Sequence, residues 1–216
     1  DPVHFKSWKW FSGFVRGDSG WSYQYQMDVS ELIWSRIGYT LAISILSLIF
    51  SWIASILIGV YSATHRYTIP DYIITVLQYL GLSVPGFLLA LVLMVFAQQT
   101  FGQEVGGLFS LTYRDAPWSW AKLWDLMKHL WIPVIVVGAS STAWLSRVMR
   151  SNLMDVLNMQ YVQTARAKGL VEKRVIWKHA VRNAMHPLIM VLGMSLPGLL
   201  SSQAIVGRVM NLPTTG

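Results

Sequence analysis

Residues 161–183, YVQTARAKGLVEKRVIWKHAVRN, hold six Lys or Arg against a single Glu. Arg174, Lys178 and Arg182 recur at four-residue spacing, which lines them up along one face of a helix. A row of cations of this kind holds anions, either lipid headgroups or the carboxylates of a protein partner. Trp177, Val181 and Met185 recur at the same spacing and form an apolar stripe beside the basic one. Ahead of them YVQTARAK is good helix-forming material, and Gly169 stands where a helix C-cap would be. The pattern predicts a helix, a glycine turn and an amphipathic helix that Pro187 ends. The turn, TARAKG, sets small residues between charges, and small residues let another protein approach closely.

The residue types that catalysis needs are not arranged for it. Ser140 and Ser141 lie within an apolar run, but a serine nucleophile needs a histidine within reach, and none falls at that depth. His179 and His186 are seven apart in the cationic region, where an interfacial role suits them better than metal ligation. There is no H-E-x-x-H, no phosphate-cradling G-x-x-x-x-G-K-[ST] and no cysteine. No catalytic residue and no metal site is expected. Any energy the protein uses must reach it from elsewhere.

These residues are set in a chain of 216 that is 54% hydrophobic and 12% charged, where ordinary soluble domains carry about 25% charged residues. With a mean hydropathy of +0.44 and 11 Trp, it reads as a membrane protein. The net charge of +7, in a chain with so little charge elsewhere, favours anionic lipid as the counterpart. A helix crosses the hydrocarbon core with about 20 apolar residues. Four runs qualify, at about 37–61, 72–98, 130–148 and 188–206. The third reaches through Arg147 and Arg150, whose stems can snorkel to the interface. The fold class that follows is all-α, a polytopic membrane helix bundle.

Residues 1–36 carry Trp8, Trp10, Trp21, Tyr23 and Tyr25, which suit a membrane–water boundary; once loop 150–187 is assigned to the cytoplasm, they fall in an extracytoplasmic segment. APWSWAKLWDLMKHLW, residues 116–131, reads as an interfacial helix leading into the third span. Loop 150–187 bears the cationic stretch. Its side of the membrane holds nine Lys or Arg against eight on the other, and acids offset the bases of residues 1–36. The loop is therefore assigned to the cytoplasm. Tied between two spans and lacking aromatic platforms, it does not suit nucleic acid.

SVPGF (residues 83–87) and SLPGL (residues 195–199) echo each other in mid-span. Proline removes a backbone donor and the neighbouring glycine loosens the helix. In lipid such a break survives only against protein or a watery cavity, and corresponding Pro/Gly interruptions point to a transport path. Ser83, Pro85, Gly86, Ser195, Pro197 and Gly198 are the candidate path residues.

YVQTARAKGLVEKRVIWKHAVRNAMHPLI resembles the cytoplasmic loop of permease subunits of ATP-binding-cassette importers, of the oligopeptide, dipeptide and nickel type. The family loop is described as Glu-Ala-Ala, three residues, Gly. That frame falls on Gln163, Thr164, Ala165 and Gly169, and TARAKG is the form usual in the peptide branch. WKWFSGFVRGDSGWSY, MDVSELIWSRIGYTL, SVPGF and NLPTTG have counterparts too, so the resemblance covers essentially the whole chain. It departs from the family where Gly207 and Arg208 replace a common Glu, and where Thr214 and Thr215 replace Gly-Leu.

The resemblance implies a type I importer permease bundle in a prokaryotic cytoplasmic (inner) membrane, multi-pass, with one more span before residue 1 and another after residue 216. It implies that Gln163, Thr164, Ala165, Arg166, Ala167, Lys168, Gly169 and Leu170 belong to a coupling helix that docks in a groove on a cytoplasmic ATPase. Ala165 and Ala167 would permit close approach, Gly169 the turn, and Arg166 and Lys168 a pairing with the partner or with lipid. Arg174, Lys178 and Arg182 are left for lipid or partner contact. ATP and Mg would sit on two ATPase subunits, with no cofactor on this chain. A second homologous permease and an extracytoplasmic solute-binding protein would complete the transporter. Peptides are the implied cargo, with nickel or oligosaccharide as the alternative within the class. A non-transporting membrane scaffold or receptor is the alternative from another class.

Overall fold

The computed structural model describes the backbone of residues 3–102 and 106–215, and their side chains except at 6, 9 and 194–203. The chain opens with α1 (Val3–Val15) and a small antiparallel hairpin of β1 (Trp21–Ser22) and β2 (Met27–Asp28). Trp8, Trp10, Trp21 and Tyr23 are all exposed there. Then come α2 (Val29–Thr64), α3 (Ile69–Ser83), α4 (Gly86–Phe101) and α5 (Trp120–Leu157). The cationic loop holds α6 (Gln160–Ala167), α7 (Glu172–Arg174), a π-helical segment (Val175–Val181) and α8 (Arg182–Ala184), and α9 (His186–Val209) follows.

A helix in lipid turns large apolar side chains outward and reserves small ones for its neighbours. α2 does so along its length. Thr40, Ser44, Ser47, Ser51, Ser55, Gly59 and Ser62 recur every three or four residues and are buried, while Leu41, Ile45, Ile49, Ile53 and Leu57 are exposed. The small stripe lies on α5. A Cβ on Gly59 would come within 2.7 Å of Met149 Cβ, and one on Gly138 within 2.8 Å of Ser51 Oγ. The Ser51 hydroxyl donates to the Gly138 carbonyl at 3.0 Å.

α2 and α5 are each long and apolar enough to cross a membrane. The expected second span is not one straight helix. It is α3 and α4, a pair bent by 111° at the break between them that reaches spanning length and hydropathy only together. The expected interfacial helix and third span are instead a single 38-residue helix, α5, continuous through the buried Pro133. Its first turns are held against their own loop. Ser119 caps them by accepting the Lys122 N–H at 3.2 Å. Lys122 is buried; its Nζ donates to the carbonyls of Ala116 (2.6 Å) and Arg114 (3.3 Å) and faces the rings of Phe109 and Trp118. Asp125 accepts the Ser110 N–H at 2.8 Å. These bonds fix the start of α5 against the loop that precedes it.

The core forms two clusters at opposite ends of the bundle. At the loop end, Val60, Ala63, Leu145, Met149 and Leu153 pack with Val162, Ala165, Val175, Ala180 and Val181. At the other end, Ile43, Ala90, Ala97, Ile132 and Val136 pack with Leu108, Val206 and Met210. The C-terminal NLPTTG segment lies at this second end, where the Thr215 N–H donates to Thr40 Oγ1 at 3.1 Å and the Gly107 N–H to the Met210 carbonyl at 2.9 Å.

Candidate functional site

The loop end carries the cationic stretch, and its shape follows from where backbone bonds can close. α5 stops at Leu157, and Gln163 Nε2 donates to the Leu157 carbonyl at 3.0 Å, satisfying one of the acceptors a helix end leaves open. α6 then runs to Ala167. The Gly169 N–H donates back to the Arg166 carbonyl at 2.9 Å and the Leu170 N–H to the Ala165 carbonyl at 3.4 Å. That pair of bonds is a Schellman turn, which needs a left-handed residue at its corner, and Gly169 has φ +73°.

Across the turn Arg166 meets Glu172. Its Nη2 donates to Oε1 at 2.6 Å and its Nε to both carboxylate oxygens at 3.2 Å. Hydrogen bonding from the Arg166 guanidinium holds the Glu172 carboxyl below its ordinary value of 4.5, and the same contact raises Arg166. Asn183 Nδ2 donates to the Tyr161 hydroxyl at 3.0 Å and ties α6 to α8.

Where α5 leaves the loop cluster, a buried polar clamp joins three helices. Arg150 Nη2 donates to Asp71 Oδ2 at 2.8 Å and Arg150 Nε to Oδ1 at 3.1 Å, a forked pair. Arg150 Nε also lies 3.0 Å from Ser62 Oγ, and the Ser62 hydroxyl donates to Asp71 Oδ1. The Tyr67 N–H supplies a further bond to Asp71 Oδ2 at 3.0 Å. The Asp71 side chain is 3% exposed and that of Arg150 23%. Further along the same two helices, Gln78 Nε2 donates to Ser146 Oγ at 2.9 Å and Ser140 Oγ to the Gly81 carbonyl at 3.3 Å.

α3 ends beyond Gly81. Val84 and Pro85 are extended, with ψ of 122° and 137°, and α4 starts at Gly86 in a new direction. The break frees backbone groups that lipid cannot satisfy. The Ser140 hydroxyl covers one, and Pro85 O accepts the N–H groups of Leu88 and Leu89 at 3.0 and 3.2 Å. Gly86 faces Val206 of α9 and Val136 of α5, 3.7 and 4.0 Å from where its Cβ would be.

Residues 55–214 match the family of binding-protein-dependent transport system inner membrane components. The chain belongs to that family. Among curated relatives it is 35% identical to the oligopeptide transport system permease protein AppB of Bacillus subtilis, over all of this chain and 67% of the relative. It is 36% identical to a putative peptide permease protein of Brucella ovis and 34% identical to the glutathione transport system permease protein GsiC of Salmonella typhimurium. Those alignments again cover the whole chain, and 66% and 65% of the relatives. The chain thus spans about two thirds of the length of these relatives. It is a membrane component of a transport system.

In this family member the expected coupling residues are gathered in one knob, but not all face outward. Gln163, Thr164, Ala167, Lys168 and Gly169 are exposed, and Arg166 and Leu170 are half-buried. Ala165 is buried in the chain's own loop cluster with Val162. Its small size therefore serves internal packing, and only Ala167 keeps the outward place expected of both. Nothing lies within 4 Å of a Cβ on Gly169, so the turn's handedness, not crowding within the chain, selects glycine there. Arg166 is turned onto Glu172 rather than held free for a partner, and Lys168 carries the knob's other charge.

Arg174, Lys178 and Arg182 are exposed as expected. The apolar stripe is not as expected. Trp177 is 44% exposed while Val175, Ala180 and Val181 are buried. The π-helical segment has wider turns than an α-helix, so residues five apart, Val175 and Ala180, share the inner face. Of the candidate path residues, Ser83 and Pro85 are exposed and Gly86 half-buried at the break. Ser83 Oγ donates to the Tyr79 carbonyl at 2.8 Å. Ser195, Pro197 and Gly198 lie within α9, and their side chains fall outside the described residues.

Sequence reasoning missed the clamp. Arg150 was expected to snorkel outward, yet it turns inward to Asp71. Arg147 lies over the Tyr79 ring at 5.2 Å. The readable signal was an acid at the very start of an otherwise apolar run, directly after Pro70.

Proposed function

We propose that this chain is a transmembrane permease subunit of an ATP-driven importer of peptides in a prokaryotic cytoplasmic membrane. It forms the translocation path with a second homologous permease and receives cargo from an extracytoplasmic binding protein. Two cytoplasmic ATPase subunits hold ATP and Mg and grip the loop. The observation that carries this is the preformed knob, a Schellman turn at Gly169 that presents Gln163, Thr164, Ala167 and Lys168 on one surface, in a chain of this family. A rigid, self-bonded turn transmits force, whereas a floppy loop would absorb it. Relatives named for oligopeptide, peptide and glutathione transport support a peptide cargo.

The test expresses the chain with its companion subunits and measures ATPase co-purification and ATP-dependent uptake of a labelled peptide. Gly169→Val forces a β-branched side chain into a left-handed backbone and is expected to abolish both. Retention of both by this variant, and by Arg166→Glu combined with Lys168→Glu, would overturn the reading.

A further inference from the structure

The clamp of Asp71, Arg150 and Ser62 lies between the loop and the helix break. Arg150 follows Met149, which is buried in the loop cluster with Val162, Ala165 and Val175. A push on α6 therefore reaches α5 one residue away from the clamp. On the far side, Asp71 stands in the first turn of α3, whose other end is the break at Val84 and Pro85. α3 is joined to α5 by directional bonds at three levels, Asp71–Arg150, Gln78–Ser146 and Gly81–Ser140. The three pairs descend one helix as they climb the other, an antiparallel ladder. α4 packs on α5 and α9 through Ala90, Ala97 and Gly86, with Leu89, Leu93 and Met94 half-buried beside them, contacts that are apolar rather than directional.

We infer that Asp71, Arg150 and Ser62 are positioning residues that lock α3 to the loop-bearing helix, so that motion of the loop is taken up at the Val84–Pro85 break. This rests on the coupling role proposed above. A forked guanidinium–carboxylate pair fixes both distance and angle between its helices. Separating the pair leaves the Asp71 carboxylate, 3% exposed, unpaired in the interior, so the lock has no low-cost loosened form. α3 then follows α5 as one body. Val84 and Pro85 are extended, the Val84 N–H closing the last turn of α3 on the Leu80 carbonyl and Pro85 O opening the first turn of α4, so the bend is concentrated at the link between them.

The experiment uses the assembled transporter, with spin labels at two exposed sites, Tyr72→Cys on α3 and Val92→Cys on α4, the chain itself having no cysteine. The label-to-label distance reports the bend. ATP is expected to change this distance in the otherwise unaltered protein. The change is lost in Asp71→Asn and in Arg150→Gln, with the ATPase still co-purifying, and is kept in Asp71→Glu, which preserves the carboxylate. Ser62→Ala, which leaves the charge pair intact, roughly halves it. A full ATP response in both Asp71→Asn and Ser62→Ala overturns the inference, and where Asp71→Asn fails to assemble, a full response in Ser62→Ala alone does so. No response in the unaltered protein with the ATPase bound also overturns it. Failure of the unaltered chain to bind the ATPase sinks the coupling reading, and this inference with it.

Discussion

Two guanidinium–carboxylate pairs in this protein have nearly the same geometry and opposite surroundings. Arg150 and Asp71 fork together inside the bundle, with the carboxylate almost wholly buried. Arg166 and Glu172 fork together across an exposed turn, their side chains 35% and 54% accessible. In water a charge pair gives up hydration for little net return, about 0–1 kcal/mol. In the interior the pair itself adds little over apolar packing, but removing Arg150 is costly because the Asp71 carboxylate, 3% exposed, cannot find water. The first pair therefore specifies which helices stay together. The second only trims a turn that the Gly169 backbone already defines.

The contrast is broken most severely by stripping Asp71 of its partner. Arg150→Met is expected to cost about 3–5 kcal/mol, read as a fall in thermal stability in detergent. Replacing both partners, Asp71→Asn with Arg150→Met, should recover much of the loss. If the double variant is as unstable as the single, the cost lies in lost packing rather than in an orphaned charge. Gly169→Ala comes next. Holding a left-handed backbone with a Cβ costs about 1 kcal/mol, expected as faster hydrogen exchange across 160–185 with little change in global unfolding. The smallest effect belongs to Glu172→Gln, within about 0.5 kcal/mol and vanishing in high salt. Because the Glu172 carboxyl is held below its ordinary 4.5 in the folded chain, its contribution is present above pH 4.5. It is lost as pH falls through the lower folded value. Exchange protection of the turn should follow that sign, and protection that rises on acidification would show that the strap opposes the fold.

The layout of the loop could be read before any coordinates. The helix-forming YVQTARAK, Gly169 and Pro187 act through local backbone chemistry, and local rules hold in lipid as in water. The break at SVPGF was legible for the same reason, but the matching SLPGL lies inside the unbroken helix α9, so the motif alone does not decide a break. The clamp was not, because Asp71 and Arg150 are 79 residues apart and each alone looks like a residue at a span end. The inward turn of Ala165 could have been inferred from Val162, three residues earlier on the same face. The π-helical segment could not, since the four-residue spacing of Trp177, Val181 and Met185 fits an α-helix equally well. The Thr and Ser stripe of α2 was periodic but hidden. Average hydropathy weighs a span as a whole and ignores which side its small residues occupy.

That stripe has a mechanical consequence. At Gly59 and Gly138 the backbones of α2 and α5 approach until not even a methyl group fits between them, so no acyl chain or detergent tail has room to wedge them apart. The two longest helices thus act as a keel. Under the coupling proposed above, a stroke delivered to the loop would turn the keel as a unit, and whatever bends would be hung on its flanks.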